Sequence, residues 1–168
     1  MEIRQISVER FSVTSSKRFQ EVVACIEARI GRPDIRKFVR DVTASQTETE
    51  LETVVHEAVG SSDLMEFIRF DIGEVLRKEL GESAPRSLRL VAGNPLIMKQ
   101  MLKFVPDVGS YAPVTILIDE RSDGVHLSYD RMASLLAPYG SPKASEVARA
   151  LDSKVEALLR AASASDAP

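Results

Sequence analysis

The chain carries a single cysteine, Cys25, and no tryptophan. One thiol cannot close an intrachain disulfide, so the fold must stand on its core, and this usage fits a reducing, cytoplasmic setting. Six phenylalanines and three tyrosines are the only aromatics, a poor supply for a base-stacking platform. There is no Lys/Arg run, and 22 basic against 25 acidic residues give a net charge of −3. That balance argues against a nucleic-acid or anionic-membrane surface. No apolar run approaches the roughly 18 residues of a membrane span. The N-terminus alternates polar and apolar residues with charge from Glu2 onward, unlike a signal peptide. The two histidines, His56 and His126, lie far apart and share no zinc-type spacing with Cys25. No metal, no cofactor, no nucleic acid and no membrane partner is therefore expected. The remaining composition, 44% hydrophobic and 28% charged over 168 residues, suits one domain with a real core.

Periodicity organises that domain. The first thirteen residues read as a strand with a slip near Glu9 and Arg10, and Thr14, Ser15 and Ser16 offer a helix cap. Phe19, Val22, Val23, Ile26 and Ile30 then form one helical face, closed by Gly31. Cys25 lies near the edge of that face and reads as a small core residue. Residues 32–60 suggest two shorter helices, the second opened by the capping box Thr47/Glu50 and carrying Leu51, Val54, Val55 and Ala58. "MEFIRFD", Met65 to Asp71, reads as a strand running straight into a helix that Asp71 can cap. Ile72, Val75, Leu76 and Leu80 are expected to form that helix's buried face.

Leu88 to Ala92 reads as a strand, followed by Gly93, Asn94 as N-cap and Pro95 as first helical residue. Ile97, Met98, Met101, Leu102 and Val105 make a broad apolar face behind them. "VTILIDERSDGVHLSYD" carries the hairpin signal Asp123-Gly124. With those two as the turn, Ser122 pairs with Val125, Glu120 with Leu127 and Ile118 with Tyr129; a longer loop with a bulge shifts that register. One face is apolar (Val114, Ile116, Ile118, Leu127, Tyr129), and the other carries Asp119, Arg121, His126, Ser128 and Asp130. A short helix over Arg131–Ala137 and a long one starting at Ser141-Pro142, lined by Val147, Leu151, Val155, Leu158 and Leu159, complete the pattern.

The run from "FDIGEVLRKELG" through "LRLVAGNPLIMKQMLKFVPDVGSYAPVTILIDE" to "VHLSYD" resembles the family known as domain of unknown function 302. The resemblance implies a TBP-like α+β fold, an antiparallel sheet with helices on one face, in proteins often found as dimers. Two features depart from the family. The helical pair at 32–60 is longer than its pattern, which suggests a lid or a subunit contact. Some members carry a cysteine before Asn-Pro; here Gly93 follows Ala92, so no thiol chemistry carries over.

The candidate sites each have a plain structural counterpart. Gly93-Asn94-Pro95 opens a helix whose free N–H groups could hold an anion, with Arg89 nearby, but a simple cap accounts for the same residues better. His126, Ser128 and Asp130 share a strand face and could support acid–base catalysis, yet a solvated outer sheet face reads the same. On "MEFIRFD", either Arg69 or Glu66 faces inward, depending on the strand's phase, and the inward charge needs a partner or a ligand. Met98, Met101 and Met132 read as packing rather than as a cofactor box.

The reading is thus a single α+β domain over residues 1–161, with a helical insertion at 32–60 and a flexible tail at 162–168. The leading function is a small cytoplasmic homodimer that binds a small organic ligand between sheet and helices. Phe67, Met98, Met101 and Leu151 would wall the pocket, with Arg69, Tyr111 and Asn94 as polar contacts. The rivals are an enzyme using His126 and Asp130, with Arg69 or the Asn94 turn assisting, and a non-catalytic dimeric interaction module.

Overall fold

A computed structural model describes residues 3–165 of the chain. Its strands are β1 (Arg10–Ser15), β2 (Met65–Asp71), β3 (Ser87–Gly93), β4 (Val114–Arg121) and β5 (Gly124–Asp130). They form one sheet in the order β1-β5-β4-β3-β2, antiparallel throughout. The helices are α1 (Phe19–Glu27), α2 (Ile35–Ala44), α3 (Glu48–Ala58), α4 (Ile72–Leu80), α5 (Pro95–Leu102), α6 (Met132–Leu136) and α7 (Pro142–Ser163). The chain is thus a single α+β domain with a long C-terminal helix. At 1.5 Å rise per residue, the 22 residues of α7 span roughly 33 Å, enough to cross the sheet.

The inner sheet face supplies Leu88, Leu90, Ala92, Val114, Ile116, Ile118, Val125, Leu127 and Tyr129, and α1, α5 and α7 bury it with Val22, Ile26, Met101, Leu151, Val155 and Leu159. A second, smaller cluster (Phe38, Val55, Ala58 and Met65) packs the α2–α3 pair against the start of β2. Four start signals act as the sequence suggests. Thr47 and Glu50 close a capping box, and the side chains of Asp71, Asn94 and Ser141 cap α4, α5 and α7.

Several expectations shift. The first strand begins at Arg10, and residues 3–9 form no regular element; Met1 and Glu2 lie outside the described residues. The Thr14–Ser16 cap is not used. Arg18 takes the N-cap position of α1, and the Ser15 hydroxyl instead donates to the Ser163 carbonyl of α7 at 3.0 Å. Helix α7 takes in the first two residues of the expected tail, with Ala162 buried, whereas residues 166–168 lie outside the described residues.

The β4–β5 turn residues are Ser122 and Asp123, so Arg121 faces Gly124 and Ile118 faces Leu127. This is a slip of two residues from the expected register. An even slip keeps every side chain on its face, so the apolar and polar rows survive it. Gly124 is drawn out of the turn because β1 runs against it: a Cβ there would sit 2.6 Å from the Ser15 carbonyl oxygen, at a φ of 137°.

The clearest departure is α4. Its expected buried face is bare, with Val75 71% and Leu80 51% exposed and Ile72 and Leu76 little better covered. Gly73 is the helix's buried residue, pressed so closely that a Cβ would lie 2.8 Å from the Ser87 nitrogen. Arg77 turns back to Asp71 and Glu74 at 2.9 and 2.6 Å.

One group the periodicity did not single out lies at the centre of the fold. Asp152, on α7, is fully buried. It accepts hydrogen bonds from the Tyr129 hydroxyl at 2.6 Å and from the amides of Met132 and Ala133 at 2.7 and 3.1 Å. Arg131 Nε sits 3.8 Å from Asp152 and 3.1 Å from Glu156. Burial first, and the Asp152 charge second, push the Tyr129 hydroxyl well above the ordinary tyrosine range. One carboxylate therefore ties β5, the start of α6 and the middle of α7 together. Replacing it with alanine leaves the Tyr129 hydroxyl and the Ala133 amide without an acceptor, at about 1–3 kcal/mol each, while the Met132 amide keeps the Tyr129 oxygen at 3.1 Å. Asp152→Ala is expected to lose at least about 2 kcal/mol in urea unfolding, and a loss below about 1 kcal/mol would show the tie to be dispensable.

Candidate functional site

The β3–α5 junction is a cap in fact as well as in pattern. The Asn94 side-chain oxygen accepts from the Leu96 amide at 2.9 Å, and its amide nitrogen donates to the Asp63 carbonyl and carboxylate at 3.1 and 2.9 Å. Asn94 is buried and fully engaged, which ties the β3–α5 turn to the loop before β2. Arg89 is no accomplice to it. It lies on the outer sheet face, exposed, 3.3 Å from the Thr115 hydroxyl.

Beside this turn the inner face of the sheet is not filled. A cavity of about 420 Å³ is lined by Phe67, Gly93, Asn94, Pro95, Met98, Met101, Leu102, Gly109, Ala112, Pro113, Val114 and Leu151. Val114, Met101 and Leu151 are its buried floor, while Gly109 and Pro113 are exposed at its rim. Four residues expected to wall a pocket, Phe67, Met98, Met101 and Leu151, line this one together with Asn94. Phe67 also packs edge-on against Phe38 of α2, with ring centroids 6.4 Å apart, so the α2–α3 pair braces the cavity's β2 wall. Leu102, Ala112, Pro113 and Gly109 escaped the sequence reading. The apolar face of α5 pointed to Leu102, but the return of residues 109–113 over the cavity is a tertiary contact with no periodic signal.

Of the expected polar contacts, Asn94 lines the cavity and Arg69 and Tyr111 lie elsewhere. The strand alternatives at Glu66 and Arg69 resolve in favour of both. A bulge at Phe67 shifts the register between Glu66 and Ile68, so Glu66 pairs with Ala92 and Arg69 with Leu90, both inward-facing partners. Arg69 then holds Glu66 through Nε and Nη2 at 2.9 and 2.7 Å and Glu27 of α1 at 2.5 Å. These bonds, Glu66 first, raise its guanidinium further above its ordinary value. Arg69 is a satisfied link between β2 and α1, and it does not line the apolar cavity.

Tyr111 is also outside that cavity. Its hydroxyl lies 2.8 Å from that of Tyr139, whose ring sits 4.6 Å beneath the Arg4 guanidinium. His126 and Asp130 are not brought into one site. His126 Nε2 is 2.8 Å from Asp123 and Nδ1 is 3.5 Å from the Thr14 hydroxyl, whereas Asp130 is held by Arg10 at 2.6 and 2.9 Å. The partner of His126 comes from the turn, three residues back, because the observed register places Ser122 and Asp123 there. The His126 hydrogen bond holds the Asp123 carboxyl below its ordinary value.

A five-stranded antiparallel sheet under a long C-terminal helix, with a lateral apolar cavity, defines the class of protein: a small α+β domain. The sequence pattern of the family described as "Domain of unknown function DUF302" matches residues 38–162, and the chain belongs to that family. A solved structure titled an uncharacterized conserved protein of the same family from Bacillus stearothermophilus is similar in fold, with a TM-score of 0.63 at 14% identity. The similarity covers 91% of this chain and 97% of that one. No protein of curated function matches the sequence.

Tyr111 offers a pH test of the geometry. The bond to Tyr139, with partial burial behind it, pushes its hydroxyl from 10.0 up to about 12. A raised pKa means that the neutral hydroxyl is the favoured form in the fold. The stability it contributes is complete below pH 10 and is lost as pH climbs through about 12. Near-ultraviolet absorbance titration should show Tyr111 ionising in that window, and Tyr139→Phe should return it toward its ordinary value. An unchanged midpoint in that variant would contradict the pairing.

Proposed function

We propose that the chain is a small cytoplasmic homodimer that binds an apolar organic molecule in the cavity between β3, α5 and α7. The observation that carries this reading is the cavity itself: about 420 Å³, walled by aliphatic, aromatic and methionine side chains. A pocket of that size suits a small ligand. Its one polar side chain, Asn94, has both ends engaged with Leu96 and Asp63, so the ligand has no charge to satisfy there. Met98 and Met101 are unbranched and polarizable, and they adapt to irregular shapes. Native mass spectrometry of undenatured protein reads the subunit number and any retained small molecule together.

The direct test is titration with a neutral, environment-sensitive fluorophore such as Nile red. A Cβ at Gly93 would point at Pro113 and Phe67, 3.5 and 3.8 Å away, in ordinary contact. The Cβ of Gly93→Val therefore enters in ordinary contact, and its two methyls take up cavity volume beside Pro113 and Phe67. The substitution is expected to weaken probe binding about tenfold, a 1.4 kcal/mol effect, with little change in the unfolding midpoint. Equal binding by wild type and Gly93→Val, or no binding by either, would sink the reading.

A further inference from the structure

Helix α4 and the strand that leads into it present a row of apolar side chains left exposed among the described residues. On β2, Ile68 and Phe70 point outward at period two, 48% and 50% exposed. Ile72 continues the row into α4, where Val75, Leu76 and Leu80 follow at helical spacing. This is the apolar stripe of a buried helix, yet the residue α4 buries against the domain is Gly73. Taking about 200 Å² of surface per large apolar side chain, the six leave on the order of 600 Å² bare, the upper end of what a monomer exposes. Beside them, β2 is an edge strand whose outer side is met by Gly31 at Met65, and it carries neither lysine nor proline to blunt pairing.

We propose that this face docks a second copy of the same chain across a two-fold axis, α4 of each copy lying over Ile68 and Phe70 of the other. The proposal rests on the homodimer reading above and names its surface. Two observations select a second copy as the occupant. Doubled, the patch buries on the order of 1,200 Å² before its rims are counted, which falls within the range of specific interfaces. The charges left outside ion pairs at its two ends are also opposite, since Asp71, Glu74, Arg77 and Lys78 pair among themselves. Arg89, opposite Phe70 in the β2–β3 register, has no carboxylate partner among the described residues, and neither Glu79 nor Glu82 at the far end of α4 has a cation there. A two-fold axis lays the strand end of one copy on the helix end of the other, so each Arg89 meets the partner's acids. An isologous contact must be self-complementary in this way.

Sedimentation velocity over the micromolar range tests the surface. The wild-type chain should sediment as a dimer. Val75→Glu, at a position outside both core clusters, should raise the dissociation constant about tenfold or more while the chain stays folded. Arg89→Glu should weaken the dimer as well, and adding Glu79→Arg with Glu82→Arg should restore it, a rescue that a merely structural role of Arg89 does not produce. A wild-type chain that remains monomeric overturns the proposal, as does a dimer that Val75→Glu leaves intact. A monomer that instead co-sediments with phosphatidylcholine vesicles overturns it in favour of a lipid occupant. Nile red titration of the Val75→Glu monomer separates the two readings: retained binding with a lost dimer upholds the interface and leaves the cavity independent of it.

Discussion

The fold turns on one buried carboxylate. Asp152 sits inside α7 with no access to water, and a bare charge in that position is untenable. It is held because three donors from elsewhere in the chain converge on it: the Tyr129 hydroxyl and the first two amides of α6. The convergence sets how far α7 stands from β5 and where α6 must begin. Around it, Ala144, Ala148, Val155 and Leu159 let the long helix settle onto the sheet, so the tie fixes register and the apolar contacts supply the bulk of the stabilisation. The cavity follows from the same arrangement, since α7 reaches it through Leu151, the residue next to the tie.

At the other edge of the sheet a second device does comparable work. The Phe67 bulge turns two inward charges into a pair and frees Phe67 to join the wall of the cavity. With Glu27 as a third member, the Arg69 cluster pins the edge strand to α1 across a gap that apolar packing leaves thin. An arginine in a groove invites a ligand-binding reading. Its partners here, within 2.5–2.9 Å, are supplied by the protein itself. Beyond the bulge the alternation is reversed, so Ile68 and Phe70 face out where an unbroken strand would have turned its charges. The bulge thus joins the cavity wall to the bare face of β2 and α4.

Membership in the family gives this chain its fold and leaves its chemistry open, because function resides in sites rather than in architecture. Two apolar surfaces stand out. One is concave and lies between sheet and helices; the other lies at the sheet edge, on β2 and α4. They share β2, where Phe67 lines the first and its neighbours Ile68 and Phe70 begin the second.

Local signals were legible in the sequence because they depend on near neighbours. The helices, their caps at Thr47, Asp71, Asn94 and Ser141, and the two faces of the hairpin follow from periodicity and capping chemistry, and the family resemblance implied the α+β class. Phe67, Met98, Met101 and Leu151 were legible as cavity walls only in so far as apolar faces imply something between them. The hairpin register was not, since the approach of β1 to Gly124 decides it and no short-range pattern reports that contact. Nor was Asp152, although it continues the i, i+4 ridge of Ala144 and Ala148; an acid on an apolar ridge becomes meaningful only once its donors are in place. The bare face of α4 shows the limit most clearly. Periodicity established that the helix has an apolar stripe, but whether that stripe turns inward or outward depends on Gly73 meeting the Ser87 backbone, a contact set by the tertiary structure alone.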